Sequence, residues 1–167
     1  MTSSKSKKAE RRRKRQQRRK RKRRQKPLEG LKRKLEQGPL QGQEFVIEPS
    51  GEVKMSEVLT AFIEPYIESA STEEAYRKLL MLAIVAWNAA LLPEDDQQDM
   101  VDKAVEVMPA ASWAMRAYMK AIMSELIERK KTYFSEYTRM ILDFELTDMG
   151  EGYHLSVAST LEKPPSQ

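Results

Sequence analysis

The chain has 167 residues, with 30 Lys or Arg, 25 Asp or Glu and a net charge of +5. It contains no cysteine and one histidine, which excludes disulfides, thiolate nucleophiles, cysteine zinc sites and His-rich metal centres. Its six glycines fit neither the Walker-type nor the dinucleotide-type loop, and the basic N-terminus lacks the apolar region of a secretory signal.

The charge is divided unevenly along the sequence. Residues 1–35 carry 19 Lys or Arg against two Glu, a net of +17, while the other 132 residues carry 11 against 23, a net of −12. Apolar residues follow the opposite distribution, with only six before residue 44. The sequence therefore predicts a basic segment joined to an acidic body, and a body of about 120 residues is long enough to form one core without disulfides or structural metals.

Residues 1–35 are predicted to form a disordered polybasic tail, because dense like charge with almost no apolar surface cannot offset the entropy of ordering. Three leucines at helical spacing near the end of this tail predict a weak amphipathic turn. Residues 36–43 contain two Gly and one Pro and are predicted to be a linker. A single α+β domain is expected over residues 44–161, and residues 162–167 are expected to fray.

The domain is predicted to start with a β-hairpin followed by a helix. Two β-prone runs, 45–47 and 52–55, lie on either side of a Pro/Gly turn. Ser56 fits the N-cap of a helix that continues to about Ser69. Pro65 is expected to end or kink this helix, because proline lacks a backbone N–H donor.

Three further helices are expected. Residues Ser71 to Glu74 fit a capping box, and the helix that follows to about Leu91 should be central because it is apolar nearly all round. Its most apolar stretch spans about 21 Å, short of the roughly 30 Å of a bilayer core. Pro93 is expected to start a third helix that ends at Pro109, with acidic residues complementing its dipole. A fourth helix begins near Ser112 and loses its apolar periodicity in the charged run of residues 128–131.

A second hairpin is expected at the end of the domain. Residues 140–147 alternate between apolar and acidic side chains over much of their length, which is strand periodicity, and a glycine-containing turn leads to a returning strand over residues 153–160. The predicted fold class is therefore α+β, with about four helices packed on a small antiparallel sheet made from an N-terminal and a C-terminal hairpin. If the fourth helix continued to Thr147, the fold would instead be an all-α bundle.

The polybasic tail has the most direct functional consequence. Clustered Arg and Lys neutralise phosphates without reading sequence, and the arginine fork also stacks on exposed bases. The tail is therefore predicted to bind nucleic acid, with RNA or a ribonucleoprotein favoured, and without sequence specificity because no aromatic residue is interleaved. The residues expected to make this contact are Arg11, Arg12, Arg13, Lys14, Arg15, Arg18, Arg19, Lys20, Arg21, Lys22, Arg23, Arg24 and Lys26.

Two further clusters have a structural explanation that is preferred to a functional one. The acidic run from Glu94 to Asp102 could hold a metal ion, but carboxylates at the start of a helix are stabilised by its dipole and face water. Met115, Met119 and Met123 could line a peptide-binding groove, but methionine commonly fills irregular helix packing. Solvated carboxylates and a methionine-containing core are therefore expected.

Isolated residues are interpreted in the same way. Trp87 and Trp113 are expected to anchor the core, and Asn88 is expected to be a buried amide with its hydrogen bonds satisfied. His154 and Ser156 share one face of the last strand, but about 7 Å of strand separates them, which is too far for a hydrogen-bonded pair. A surface histidine is therefore preferred to a catalytic one.

The favoured function is a non-enzymatic, cytoplasmic binding protein with no cofactor and no metal. Its tail contacts nucleic acid, and its acidic folded domain makes a specific contact with a protein partner. The alternative is a protein-interaction or assembly protein whose tail serves only solubility or targeting. The same tail could lie on an anionic membrane surface, although no lipidation motif accompanies it and no membrane span is expected.

Overall fold

A computed structural model describes residues 28–39, 42, 44–47, 53–108, 112–150 and 152–161. This part of the chain contains five α-helices, one 3-10 helix and a two-stranded sheet. The α+β class is therefore confirmed. The alternative of an all-α bundle is wrong, because the last helix ends at Tyr133 and the residues expected to extend it form a strand from Ile141.

The helices and strands follow the chain in this order: α1 over residues 28–37, α2 Met55–Ile63, the 3-10 helix Glu64–Ser69, α3 Glu73–Ala89, α4 Glu94–Val107, α5 Trp113–Tyr133, β1 Ile141–Asp148 and β2 Tyr153–Ser159. The chain divides into two compact units. The smaller unit comprises residues 1–43 and 144–156, and the larger comprises residues 44–143 and 157–167. The β1–β2 hairpin contributes its tip to the smaller unit and its base to the larger. The predicted boundaries of tail, linker and domain stay predictions.

Two helices of the larger unit begin at hydroxyl caps, as expected. Thr72 Oγ1 accepts a hydrogen bond from Ala75 N at 3.1 Å, and Ser112 Oγ accepts one from Met115 N at 3.2 Å. The predicted capping box forms only in part, because the position three residues after Thr72 is Ala75, which has no carboxylate to return the bond. The two glutamates in that turn pair with basic residues one turn later instead.

The start of the larger unit differs from the predicted N-terminal hairpin. Residues 48–52 lie outside the described part of the chain. Val46 forms a single antiparallel bridge with Ser159, in which each residue donates to the other at 2.8 and 2.9 Å. Met55, expected in the second strand, is the first residue of α2 and is buried. The helical spacing of Met55 with the buried residues Val58, Leu59 and Phe62 explains why it joins the helix rather than a strand.

Pro65 lies at the junction where α2 gives way to the 3-10 helix, and the predicted interruption is confirmed. Proline has no N–H to donate to the fourth preceding carbonyl, so the α-helical hydrogen bonding cannot continue through it. At the other end of α2, the N-cap is Lys54 rather than the expected Ser56. The carbonyl of Lys54 accepts from the amides of Glu57 and Val58.

Helix α3 supplies the centre of the larger unit, as its apolar sequence predicts. Trp87 is fully buried and meets Phe62 and Phe134 edge to face, with ring centroids 5.3 and 6.1 Å apart. Its indole N–H donates to the carbonyl oxygen of Arg139 at 2.9 Å. Trp87 is therefore a core anchor. The same expectation for Trp113 is wrong, since its side chain is 84 % exposed.

Asn88 joins α3 to the start of β1. Its Nδ2 donates to Ile141 O and its Oδ1 accepts from Ile141 N, both at 2.8 Å. Asn88 and Ile141 are both buried, so the expectation of a satisfied amide is confirmed. The side chain provides the two hydrogen bonds that a neighbouring strand would otherwise give to Ile141, which fixes the base of the hairpin against the central helix.

The smaller unit pairs α1 with the tip of the hairpin. Leu31 and Leu35, one helical turn apart, are buried, and a Cβ added at Gly30 would lie 2.7 Å from a carboxylate oxygen of Glu145. The described end of the predicted tail, residues 28–35, is therefore helical with a buried apolar side, as the helical spacing of its leucines predicts. The leucine spacing outweighs the charge around it, and α1 continues through the predicted boundary at residue 35.

Candidate interaction surfaces

The thirteen basic residues predicted to contact nucleic acid, from Arg11 to Lys26, lie outside the described residues. The structure describes the helix that follows them. On α1, Lys32 and Arg33 are exposed while Leu31 and Leu35 are buried. Helix α1 therefore holds cations on an ordered surface only a few residues after the polybasic segment, where they can contact phosphates.

Helix α4 carries an acidic surface with six Asp or Glu against one Lys. Asp99 pairs with Lys103 at 2.7 Å, and Asp102 pairs with Lys120 of α5 at 2.8 Å. Hydrogen bonds from Lys120 and Gln98 lower the pKa of the Asp102 carboxyl, and the neighbouring Asp99 raises the pKa of Lys103. These groups are charged and solvent-accessible, which is the chemistry of an electrostatic surface rather than of a buried acid–base site.

The acidic residues at the start of α4 are where the helix dipole predicts them. Glu94, Asp95 and Asp96 occupy the first turn and are exposed. In this position a carboxylate is stabilised by the partial positive charge of the helix N-terminus. Within the described ranges, no three His, Asp or Glu side chains are placed to hold a metal ion.

The start of α5 exposes a group of apolar side chains that we call the α5 patch, together with the last residue of α4. The exposed fraction is 84 % for Trp113, 49 % for Met115, 62 % for Tyr118 and 83 % for Val107. Every residue from Trp113 to Tyr118 is exposed, on all sides of these first turns of α5. Trp113 lies on a different side of α5 from Met115 and Tyr118, so the patch surrounds the start of the helix. Exposed apolar side chains grouped in this way commonly mark interaction sites.

The exposure of the buried side of α5 decreases along the helix from its start. The exposure of the methionines decreases in the same direction, since Met115 is exposed, Met119 is half-buried and Met123 is fully buried. The prediction that methionines fill the core is therefore correct for Met123 and wrong for Met115.

His154 and Ser156 do not form a nucleophile–base pair. Ser156 is buried and its hydroxyl makes no hydrogen bond within the described residues, while His154 is half-buried. A serine nucleophile needs its base within hydrogen-bond reach. The preference against catalysis at this pair stays a prediction.

Lys130 is a buried amine that the sequence reasoning missed. Its Nζ donates to Phe134 O at 2.7 Å and lies 4.5 Å from the centre of the Trp87 ring. Burial lowers its pKa, while Glu136 has a smaller opposite effect. Because the amine is engaged by the carbonyl of Phe134, the C-cap of α5, and by an aromatic face, its contacts are those of a C-terminal helix cap.

Comparisons of the chain with protein-family models, with curated proteins and with solved structures give no match. In the described part of the chain, every helix is too short or too polar to cross a membrane. The functional argument therefore depends on the chemistry of the residues themselves, in particular the polybasic segment, the cations on α1, the acidic surface of α4 and the α5 patch.

Proposed function

We propose that this chain is a non-enzymatic, cytoplasmic binding protein that contacts nucleic acid through its polybasic segment, with RNA or a ribonucleoprotein favoured over DNA. The single observation that carries the proposal is the density of charge from Arg11 to Lys26, where 13 of 16 residues are basic. Such a segment neutralises successive phosphates and gains affinity from the counterions it releases. The acidic folded domain makes the contact with a protein partner.

Two features of the chain support a localised nucleic-acid contact rather than a diffuse one. Residues 36–167 have a net charge of −12 and repel phosphates, so attraction is confined to the N-terminal region. Lys32 and Arg33 extend that region onto the ordered surface of α1. The contact is therefore expected to begin in the polybasic segment and to continue on this helix.

The experiment is a titration of labelled oligouridylate RNA with the full chain at several salt concentrations. If about six phosphates are contacted, the logarithm of affinity should fall against the logarithm of salt with a slope of about −4 to −5. Replacing the first seven arginines of the segment by glutamine, from Arg11 to Arg21, should reduce the slope to about −2. An unchanged slope in this variant would refute the proposal.

A matched pair of variants locates the end of the contact. Lys32→Gln/Arg33→Gln removes two cations from α1 and should make the slope less steep by about 1.5. Lys78→Gln/Lys103→Gln removes the same charge from exposed ion pairs on α3 and α4 and should leave the slope unchanged. Both variants keep the buried leucines of α1, which a deletion of residues 1–35 would remove.

A second candidate function is favoured by the α5 patch. The chain would then be a protein-interaction or assembly protein whose tail serves solubility or targeting, because an exposed tryptophan and tyrosine are typical of protein interfaces. The seven-arginine variant separates the two functions. It should abolish most RNA binding under the first, and should change only solubility or location under the second.

A further inference from the structure

The α5 patch has a composition typical of the centre of a protein interface. Trp and Tyr are the side chains that most often dominate binding energy, and methionine adapts to partner side chains of different shape. The core of the larger unit is already filled by Trp87 and its aromatic neighbours, whereas Trp113 is 84 % exposed. The patch is therefore unused by the described fold.

Helix α4 places carboxylates beside the patch. The bridge from Lys120 to Asp102 joins the two helices at 2.8 Å. From that point, Val107 lies about 7 Å further along α4 and Trp113 about 10 Å further along α5, and both distances run toward the short connection between the helices. The apolar patch and the end of the acidic helix are thus neighbours.

The charge on this part of α4 is only partly compensated. Asp99, Lys103 and Glu106 are spaced four and three residues apart and share an exposed side of the helix. Asp99 and Lys103 pair with each other, while Glu106 makes no ion pair within the described residues. Glu106 directly precedes Val107, so a carboxylate that shares the single Lys103 with Asp99 borders the apolar surface.

We propose that the α5 patch and the acidic surface of α4 together bind a basic amphipathic helix of a partner protein. The apolar side of such a helix covers Trp113, which lies two turns from Lys120 on the side of α5 nearest α4, and its Lys or Arg side chains meet the carboxylates of α4. A cation of the partner also stacks favourably on the exposed indole. This inference deepens the partner contact of the proposed function by naming the chemical class of the partner.

Electrostatic complementarity favours this occupant over a second copy of the chain, nucleic acid or an anionic membrane. In a symmetric contact between two copies, the acidic α4 surface of one copy would face the same surface of the other, and like charges repel. Nucleic acid and anionic membranes are repelled by the same carboxylates. A basic helix satisfies both the apolar and the charged part of the surface.

The test uses a synthetic amphipathic peptide of leucine and lysine that contains no aromatic residue. On binding to the full chain, the fluorescence of Trp113 should move to shorter wavelength as its exposed indole becomes covered, since Trp87 is already buried. Trp113→Ala should abolish this shift and weaken peptide binding about 30-fold. Asp99→Asn/Glu106→Gln should weaken binding about tenfold and flatten its salt dependence.

Matched controls distinguish binding at this surface from non-specific binding of the peptide. Tyr133→Ala removes an exposed aromatic side chain from the other end of α5, and Glu73→Gln/Glu74→Gln removes two exposed carboxylates from α3. Both should bind the peptide within about twofold of the wild-type affinity, as expected for residues outside an interface. A peptide with glutamate in place of lysine should bind at least tenfold more weakly, because its charge opposes that of α4.

Three results would overturn the inference. They are equal binding of the lysine and glutamate peptides, unchanged binding by Trp113→Ala, and sedimentation showing a dimer that Trp113→Ala converts to monomer, which would assign the patch to a second copy. The nucleic-acid contact is judged separately on the same variants. Trp113→Ala should leave the RNA salt slope unchanged, and the seven-arginine variant should leave peptide affinity unchanged.

Discussion

Asn88→Leu is the substitution that tests the fold most severely. Leucine branches at Cγ as asparagine does and suits the apolar surroundings of α3, so a purely hydrophobic account of this helix predicts little change. The structure predicts a large loss instead. The substitution removes the partners of both the N–H and the C=O of Ile141, which are now bonded at 2.8 Å in a buried position.

The magnitude follows from these two groups. A buried backbone group left without a partner costs about 1–3 kcal/mol. Replacing the amide by an apolar side chain returns about 1–2 kcal/mol of the cost of burying it. Two such groups cost about 4 kcal/mol at the middle of this range, so the expected net loss in the free energy of unfolding is about 2–3 kcal/mol, a large fraction of the roughly 5–15 kcal/mol that stabilises a domain.

The assay is urea unfolding of the full chain, followed by circular dichroism. Thr60→Val is the matched control, because it replaces another hydrogen-bonding helix side chain by an apolar one, but at an exposed site where Thr60 Oγ1 donates to Ser56 O. The control should change the free energy of unfolding by less than about 0.5 kcal/mol. A loss below about 1 kcal/mol for Asn88→Leu would refute the reasoning, since one unpaired buried group alone costs that much.

Three other predictions address single features. Thr72→Ala removes the N-cap of α3 and should cost about 1 kcal/mol in urea unfolding; no loss would show that the cap is dispensable. Gly150→Ala puts a Cβ at φ 86° in the hairpin turn and should lower stability by about 1 kcal/mol. An unchanged melting temperature would contradict this expectation. Burial lowers the pKa of Lys130 below 10.5, so wild-type stability relative to Lys130→Met should rise as pH increases from the lowered pKa toward 10.5. A falling difference over that range would contradict the burial effect.

The helices could be predicted where local chemistry decides them. Thr72 and Ser112 have the hydroxyl that an orphan amide needs, and both are the observed caps. The strand alternation after residue 140 was likewise sufficient to predict the C-terminal hairpin. The N-terminal hairpin could not be predicted correctly, because Met55 suits a strand by local propensity but is recruited by the buried side of α2.

The interaction surfaces were harder to predict because exposure depends on neighbouring elements. The spacing of Met115, Met119 and Met123 indicates one apolar helix side, and periodicity alone cannot show that the first turns of that side are exposed. The exposure of Trp113 therefore became visible only in the three-dimensional arrangement.

The charged run near the end of α5 is a similar case. It interrupts the apolar periodicity, yet Arg129 donates to Phe62 O at 2.9 Å and to Ala61 O at 3.3 Å. These carbonyls belong to the last turn of α2, whose C-terminal groups lack helical partners. Together with Lys130, which engages the end of its own helix, Arg129 uses a charged side chain to satisfy backbone groups inside the fold.

The nucleic-acid contact is tested most directly by lysine footprinting of the full chain, in which acetylation is measured residue by residue with and without oligouridylate RNA. The proposal predicts strong protection of Lys14, Lys20 and Lys32, with no change at Lys78 and Lys103, which are exposed in the acidic body. Equal protection across all five lysines, or protection confined to the last two, would contradict it.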